Sequence, residues 1–357
     1  MTHSSDSDTS AAGFSKEYFR HLCDAYGLSQ PQALEPVSGG LIHQTYFLKT
    51  PEGDYALQAL HPKLSSEAIL QDYAAVTDHL YQEGFNAPRL VKTRDGGPAL
   101  VSEGVTWRLT TWLKGTTKTR VHHPETARQA AQILGRFHSV MAGLRHTFLS
   151  QHPLHDTSLH ATRLTEALSA LQGLNHPWVE TTTALGVEAL ERLEDLCREV
   201  SWSELPQRVV HGDPKISNVL FDEEAVGLVD LDTCARHSVL TDLGDAVRSW
   251  TPSGDEQDVG RFRIEIFKAL LQGYRASSAA LAEVEIQRLA FAGPLITWEL
   301  CARFLWDVVE DSYFGWDPER FESRRAHNLK RAKSMAALGR QMDAKRSALE
   351  EVVAEVF

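Results

Sequence analysis

The chain has 357 residues, and a single hydrophobic core stops growing near ~250–300 residues, so two lobes are expected. Apolar content of 42% and charged content of 24% are those of a globular protein and exclude wholesale disorder. A formal charge of −12 disfavours nucleic-acid binding, because no basic patch would neutralise phosphates.

The N-terminal "MTHSSDSDTSAAGF" is polar, lacks a basic-then-apolar leader and reads as a disordered tail. The next residues place Phe14, Tyr18, Leu22 and Tyr26 at helical spacing behind a Ser15 cap, so residues 1–32 are tail plus helix. "QTYFLKT" and "DYALQAL" are β-rich runs joined by Pro51-Glu52-Gly53-Asp54, a turn in which Pro presets φ and Gly allows φ > 0. A helix, "SSEAILQDYAAVTDHLYQEGF", ends near Gly84. "LVKTRDGGPALVSEGVTWRLTTWLKG" reads as hairpins with a Gly-Gly turn, which makes residues 33–115 a small, mostly antiparallel sheet with one helix.

After a join near Lys114–Thr119 the pattern turns helical, in "PETARQAAQILGRFHSVMAGL", in "TTALGVEALERLEDLCREV" and again to the C-terminus. The run "RLAFAGPLITW" is too short and too broken to span a bilayer. Cys23, Cys197, Cys234 and Cys301 lie far apart with no Cys-x-x-Cys pair, which argues for a reduced, cytoplasmic protein. The fold class expected is α+β and bilobal: a small β-rich N-lobe with one main helix, then a larger, mostly helical lobe over 116–357. No membrane partner is implied, and no oligomeric state can be read.

One stretch, "RVVHGDPKISNVLFDEEAVGLVDLDT" at 208–233, inserts short strands into the helical lobe and gathers His211, Asp213, Asn218, Asp230 and Asp232. If "NVLF" and "GLVDL" form a hairpin centred on Glu224, Asn218 faces Asp230 with Cβ atoms about 4.5–5.5 Å apart. An amide oxygen and a carboxylate so placed can share a hard cation, and Mg²⁺ takes few protein oxygens plus substrate phosphates. Asp213 lies on the preceding loop, where Gly212 permits an unusual turn, and can receive a proton from an incoming hydroxyl. Base, amide and carboxylate in this order are the parts phosphoryl transfer requires. His211 reads as a hydrogen-bonded loop organiser. Asp232, on the same strand face as Asp230, reads as a second metal contact or a support, with support favoured. Asp242 and Asp245 in "TDLGDAVRSW" read as a helix start, and His138 as a satisfied core histidine.

"HGDPKISN" followed by "GLVDLDT" resembles the aminoglycoside phosphotransferase and choline kinase superfamily, relatives of the protein kinases. The resemblance implies a protein-kinase-like fold, ATP as co-substrate, Asp213 as catalytic base, and Asn218 and Asp230 as Mg²⁺ ligands. "VDLDT…TDLGDAVR", "ITWELCARFLWDVVEDSYF" and "HNLKRA" are similar to the N-acetylhexosamine 1-kinases. That likeness implies transfer to the anomeric hydroxyl of a small-molecule sugar, with Arg303 and Tyr313 in the sugar pocket, Asp213 touching the reacting hydroxyl, and Asp242 bracing the loop. In the small lobe, Gly39 and Gly40 would cover the phosphates, and Thr111, Trp112 and Leu113 would meet the adenine. Gln58 stands where the general pattern has a phosphate-binding lysine and Ala74 where it has a glutamate, with Lys49 or Lys63 as substitute cations. Other acceptors (an aminoglycoside, choline or ethanolamine, another sugar) and a non-catalytic pseudokinase-like module are the rival readings.

Overall fold

The computed structural model describes residues 14–37, 43–150 and 154–357; the expected disordered tail and the Gly39-Gly40 pair lie outside them. Contacts divide the chain into a smaller unit, Met1–Lys114 with His146–Ser150, and a larger one, Gly115–Arg145 with Gln151–Phe357.

In the smaller unit, helix α1 (Lys16–Ala25) begins at Ser15, whose hydroxyl accepts from Tyr18 N at 3.1 Å. Strands β1 (Ala33–Pro36), β2 (Gln44–Thr50) and β3 (Gly53–Ala59) precede helix α2 (Glu67–Gln82), capped by Ser66. Strands β4 (Leu90–Val91), β5 (Leu100–Ser102) and β6 (Val105–Thr111) complete an antiparallel sheet ordered β1-β2-β3-β6-β4, with β5 also on β6. The expected 51–54 turn joins β2 to β3. The Gly-Gly pair does not turn a hairpin: Thr93 closes a small loop over 93–97, its hydroxyl accepting from Gly97 N at 2.9 Å. The β5–β6 hairpin turns instead at Glu103-Gly104, where both residues take positive φ as a two-residue hairpin turn demands.

Helix α1 belongs to this core. Its Tyr18, Phe19, Leu22 and Tyr26 pack with Tyr46, Leu48 and Leu57 of the sheet around Trp107, which is fully buried. The polar edges are also matched: the Trp107 indole N–H donates to Tyr18 Oη at 2.9 Å, and the Tyr26 hydroxyl donates to the Trp107 carbonyl at 2.7 Å. On α2, the buried Asp72 carboxylate accepts from Leu149 N, Ser150 N and the Ser150 hydroxyl and pairs with His146, fastening 146–150 to the smaller unit.

The larger unit begins with β7 (Thr116–Thr117), followed by helices α3 (Pro124–Met141), α4 (Thr157–Ala170) and α5 (Pro177–Glu199). Strands β8 (Arg208–Val210), β9 (Val219–Asp222), β10 (Glu224–Leu228) and β11 (Ala235–His237) form two small sheets, β10-β9-β7 and β11-β8. Helices α6 (Val239–Trp250), α7 (Ile264–Ser277), α8 (Glu283–Ile286), α9 (Leu289–Glu310), α10 (Arg324–Asp343) and α11 (Arg346–Val356) follow. Helices α3 and α7 approach so closely that a Cβ on Gly273 would lie 2.2 Å from the Arg128 carbonyl. Helix α9 is apolar and buried nearly all round, the pattern of a core helix. The C-terminal stretch is two helices, and α10 buries His327, Asn328, Arg331 and Ser334. Among the described residues no helix is long and apolar enough to cross a membrane. The small β-sheet unit and larger helical unit are the α+β, bilobal architecture expected.

Replacing Trp107 by Ala removes the centre of the small-unit core and its bridge to α1. Urea denaturation of the full chain should show a loss of about 3–5 kcal/mol; a loss below ~1 kcal/mol would show that this cluster does not hold the unit.

Candidate active site

The polar residues of 208–233 converge because two short strands bring both ends of the segment together. Strand β8 pairs with β11, Val210 opposite Ala235, so the chain leaving the hairpin returns beside the chain entering the loop. Where they cross, Gly212 takes φ +86, and a Cβ there would lie 2.4 Å from the Thr233 carbonyl, so no other residue fits. The Thr233 hydroxyl donates to the His211 carbonyl at 2.8 Å and ties the crossing.

The hairpin register differs from the expectation. Its turn is centred on Glu223 (φ +63), not Glu224, and a bulge between Ala225 and Gly227 shifts the register once more. Asn218 therefore faces Val229 along the backbone, with Val229 N donating to its carbonyl at 3.0 Å. Asp230 still meets Asn218, because it leaves the strand in the left-handed region (φ 64, ψ 57) and sets Oδ2 3.4 Å from Asn218 Nδ2. A short polar side chain tolerates that conformation better than most. Residues 231–233 then form a 3₁₀ turn, so Asp230 and Asp232 do not share a strand face. The alternation used to place Asp232 is absent.

Around Asp213 the groups are mutually in reach. Lys215 Nζ donates to Asp213 Oδ2 at 2.5 Å and lies 3.9 Å from Asp230 Oδ2. Asn218 Nδ2 donates to the Asp213 carbonyl at 2.8 Å, which commits the amide nitrogen and leaves Oδ1 as its remaining oxygen. The Asp230 carboxyl is raised above its ordinary value: removal from water acts first, and repulsion from Asp213 and Asp232 adds to it against the attraction of Lys215. Lys215 is held above the usual range because Asp213 and Asp230 outweigh the cost of its burial. A negative cluster with one lysine fits an additional cation. Among the described residues no three His, Cys, Asp or Glu form an all-protein metal cage. The Asn218 oxygen and Asp230 are instead the two-oxygen set that suits Mg²⁺ held jointly with phosphates.

Helix α6 fixes this loop along one face. Ser238 caps it, accepting from Leu240 N at 3.2 Å. Asp242, fully buried in the first turn, accepts from His211 N at 2.7 Å and Gly212 N at 2.8 Å, and pairs with His138 Nε2 at 2.8 Å. Burial pushes the Asp242 carboxyl up, but His138 and the loop N–H groups outweigh it, so it stays below the usual carboxylate range. Seven residues on, on the same face, the Ser249 hydroxyl accepts from Ile216 N at 3.2 Å; beside it the Trp250 indole donates to the Pro214 carbonyl at 3.0 Å. His211 is fully buried, its Nε2 3.0 Å from the Val229 carbonyl and its Nδ1 3.3 Å from Asp213 N, as a loop organiser requires. His138, also paired with the Tyr274 hydroxyl at 2.8 Å, is a satisfied core histidine.

In the smaller unit, Gln58 on β3 faces Arg108 on β6 across the sheet. Its Oε1 accepts from Arg108 Nε at 3.1 Å and Nη2 at 2.9 Å, while the guanidinium, 1% exposed, lies 3.8 Å over the Tyr73 ring of α2. Lys49, at the far end of β2, faces Asp54 instead, and Lys63 lies in a turn beyond β3. At the end of β6, Thr111 N donates to the Arg89 carbonyl at 2.9 Å and Trp112 N to Asp54 at 3.0 Å. These N–H groups are therefore engaged, and Leu113 is left to offer its backbone.

Arg303 lies in α9, buried, 5.6 Å over the Phe314 ring. The exposed Tyr313 follows the helix end in a turn that buried Asp307 organises by accepting from Ser312 N, Tyr313 N, Phe314 N and Asn328 Nδ2. The contacts given above for Arg303 and for the Tyr313 turn do not involve the Asp213 cluster. Sequence reasoning missed Lys215, whose signal is a cation two residues after Asp213 in a loop already chosen. Arg108 carried a signal too, as a charge among alternating apolar residues in "TWRLTT"; Asp307 carried none that separates it from its acidic neighbours.

Comparisons with known proteins bear on the family and the fold. The homoserine kinase of Zymomonas mobilis is 25% identical over 261 residues, covering 72% of this chain and 75% of that one. In structure, the microcompartment-associated aminopropanol kinase superposes with a TM-score of 0.64 at 16% identity, over 94% of this chain and 98% of that one. Amicoumacin kinase hAmiN in complex with AMP-PNP and Ca²⁺ gives 0.62 at 14% identity, over 92% and 93%. Likenesses this remote in sequence speak for the fold. The profile of the phosphotransferase enzyme family (APH) matches residues 33–281, most of the chain including the Asp213 loop. The chain therefore belongs to the APH phosphotransferase enzyme family and is a phosphotransferase acting on a small-molecule hydroxyl acceptor.

Proposed function

We propose that this chain transfers the γ-phosphate of ATP to the anomeric hydroxyl of an N-acetylhexosamine, giving the hexosamine 1-phosphate. The observation that carries the chemistry is the Asp213–Lys215–Asn218–Asp230 cluster, held within 2.5–3.9 Å. An Asp213 carboxylate oxygen takes the hydroxyl proton as the acceptor oxygen bonds to phosphorus and the bond to the ADP oxygen breaks. Asn218 and Asp230 would hold Mg²⁺, which when bound neutralises phosphate oxygens. Lys215, whose amino group balances Asp213 and Asp230, can turn a donor to a transferring phosphate oxygen. Catalysis then rests on positioning and charge, with no covalent intermediate needed.

The acceptor is supported by the segment "ITWELCARFLWDVVEDSYF", in which Asp307 shapes the Tyr313 turn and Arg303 is buried. A second reading has homoserine as acceptor and is favoured by relatives of that name at 24–27% identity. In the smaller unit, we read Gln58 as acting on the nucleotide through Arg108. Its amide oxygen fixes the guanidinium, and a guanidinium matches phosphate geometry where an amide does not. Gly39 and Gly40 remain the proposed phosphate-covering groups, and Thr111, Trp112 and Leu113 the proposed adenine-facing segment.

Asp213→Asn should lower kcat by about 10²–10⁴-fold with the KM for ATP little changed, as loss of a general base does; full turnover in that variant would remove the mechanism. ATP consumption measured with N-acetylglucosamine, N-acetylgalactosamine, homoserine, kanamycin and choline should favour the first two. Preference for homoserine would establish the second reading, and no turnover on any of them would leave a binding module. Gln58→Ala and Arg108→Ala should each raise the KM for ATP about tenfold, and the double variant little more, because the two act as one unit. Additive losses would separate their roles.

A further inference from the structure

Helix α6 carries a second polar pair on the face that grips the catalytic loop. Asp245 lies three residues after Asp242 and four before Ser249, so all three share that face. Asp245 is 3% exposed, and its Oδ1 accepts from Arg248 Nε at 2.9 Å and Nη2 at 2.5 Å. These bonds use two of the five N–H donors of a guanidinium that is charged at any working pH. Its other three N–H groups have no acceptor among the described residues, and the side chain is not sealed, with 11% of it exposed. Arg248 immediately precedes Ser249 and Trp250, which hold Ile216 N and the Pro214 carbonyl of the catalytic loop. After Asp245, the carboxylates that act on it most strongly are Glu256 and Asp213. Neither closes on Arg248 as an ion pair among the described residues: Asp213 pairs with Lys215 at 2.5 Å and Glu256 with Arg331 at 3.0 Å. A fixed guanidinium edge is therefore left open near the base.

We infer that the open edge of Arg248 anchors the acceptor, donating to a carbonyl or carboxylate oxygen of the molecule whose hydroxyl meets Asp213. Such oxygens offer in-plane lone pairs that match the planar fork, which a hydroxyl oxygen does less well. Asp245 fixes the fork before the acceptor arrives, so little rotamer freedom is left to lose on binding. The two cations of the site then have different partners. Lys215, between Asp213 and Asp230, serves the phosphate side, and Arg248, between Asp213 and Glu256, serves the acceptor. The inference rests on the function proposed above, and its chemistry is met by an acetamido carbonyl on an N-acetylhexosamine or by the carboxylate of homoserine.

The test compares kcat/KM for N-acetylglucosamine against glucose, and for homoserine against 3-aminopropan-1-ol, in the wild type, Arg248→Ala and Arg248→Lys. For whichever pair is turned over, Arg248→Ala should cut the preference for the carbonyl-bearing member about tenfold or more, since a site built to hydrogen-bond a group rejects the analogue lacking it. Arg248→Lys keeps the charge balance with Asp245 but not the fork, and should restore part of that preference. It also keeps the test open should the alanine variant not fold. An unchanged preference in a folded variant, whatever the loss of rate, would assign Arg248 to structure and overturn the anchor. So would a raised KM for ATP with the preference intact, which would turn the guanidinium to the nucleotide. Failure of the proposed function is separated by titrating acetamide and acetate into ¹⁵N-arginine-labelled protein, the Arg248 signals being identified by their absence from Arg248→Lys. A shift of the Arg248 guanidinium supports the anchor whichever acceptor is used, and no shift at saturation overturns it.

Discussion

The Asp242 carboxylate, buried behind the catalytic loop, is the contact on which the rest of the site depends. The loop must bend at Gly212 with φ +86, and that bend leaves His211 N and Gly212 N facing inward with no strand to pair them. Hydrogen bonds to a charged group contribute about 1.5–3 kcal/mol each, and a buried N–H without an acceptor costs a similar amount. One carboxylate answers both, and His138 on α3 hydrogen-bonds to it as well. Helix α6 adds Ser249 and Trp250 further along the same face, so the backbone from 211 to 216 is set by a single rigid element. Asp213 gains a fixed position because its neighbours have no alternative partners.

Charge is distributed differently in the two units. In the larger one, Asp213 and Asp230 flank Lys215 and Asp232 acts on Asp230, a concentration of carboxylates that an added divalent cation would relieve. In the smaller one, besides the buried Asp72 carboxylate of α2, there is a buried positive charge: Arg108, held by an amide and an aromatic face. A neutral amide at position 58 therefore does not leave the sheet without a cation. The positive group sits one strand over and is oriented by the residue that stands where a lysine was expected.

Much of this was legible in the sequence, for identifiable reasons. Helices α1 and α2 announce themselves by apolar spacing behind Ser15 and Ser66, and the β2–β3 hairpin by its Pro-Glu-Gly-Asp turn. The set of Asp213, Asn218 and Asp230 could be named because each lies within one short segment. Its geometry could not. The hairpin turns one residue early and contains a bulge, so register counting paired Asn218 with the wrong residue, and contact with Asp230 arises from a left-handed backbone that no alternation rule describes. The same departure removes the shared strand face by which Asp232 was placed beside Asp230. Gly-Gly at 96–97 drew attention as a hairpin turn because glycine permits one, whereas Glu103-Gly104 accepts the required φ values and lies between the strands that pair. Arg108 beside Gln58 and His155 beside Glu299 are partnerships across 50 and 144 residues, which a single sequence does not display.

The proposed chemistry requires that the loop held by Asp242 present Asn218 and Asp230 as one cation site completed by a nucleotide phosphate. Electron paramagnetic resonance titration of Mn²⁺ in the presence of ADP, on wild type and on Asp230→Asn, tests this without reference to the acceptor. ADP should strengthen Mn²⁺ binding to the wild type, and the variant should lose about tenfold or more of that affinity while still binding ADP, as loss of one of two protein ligands implies. Equal Mn²⁺ affinity in the two proteins would contradict it.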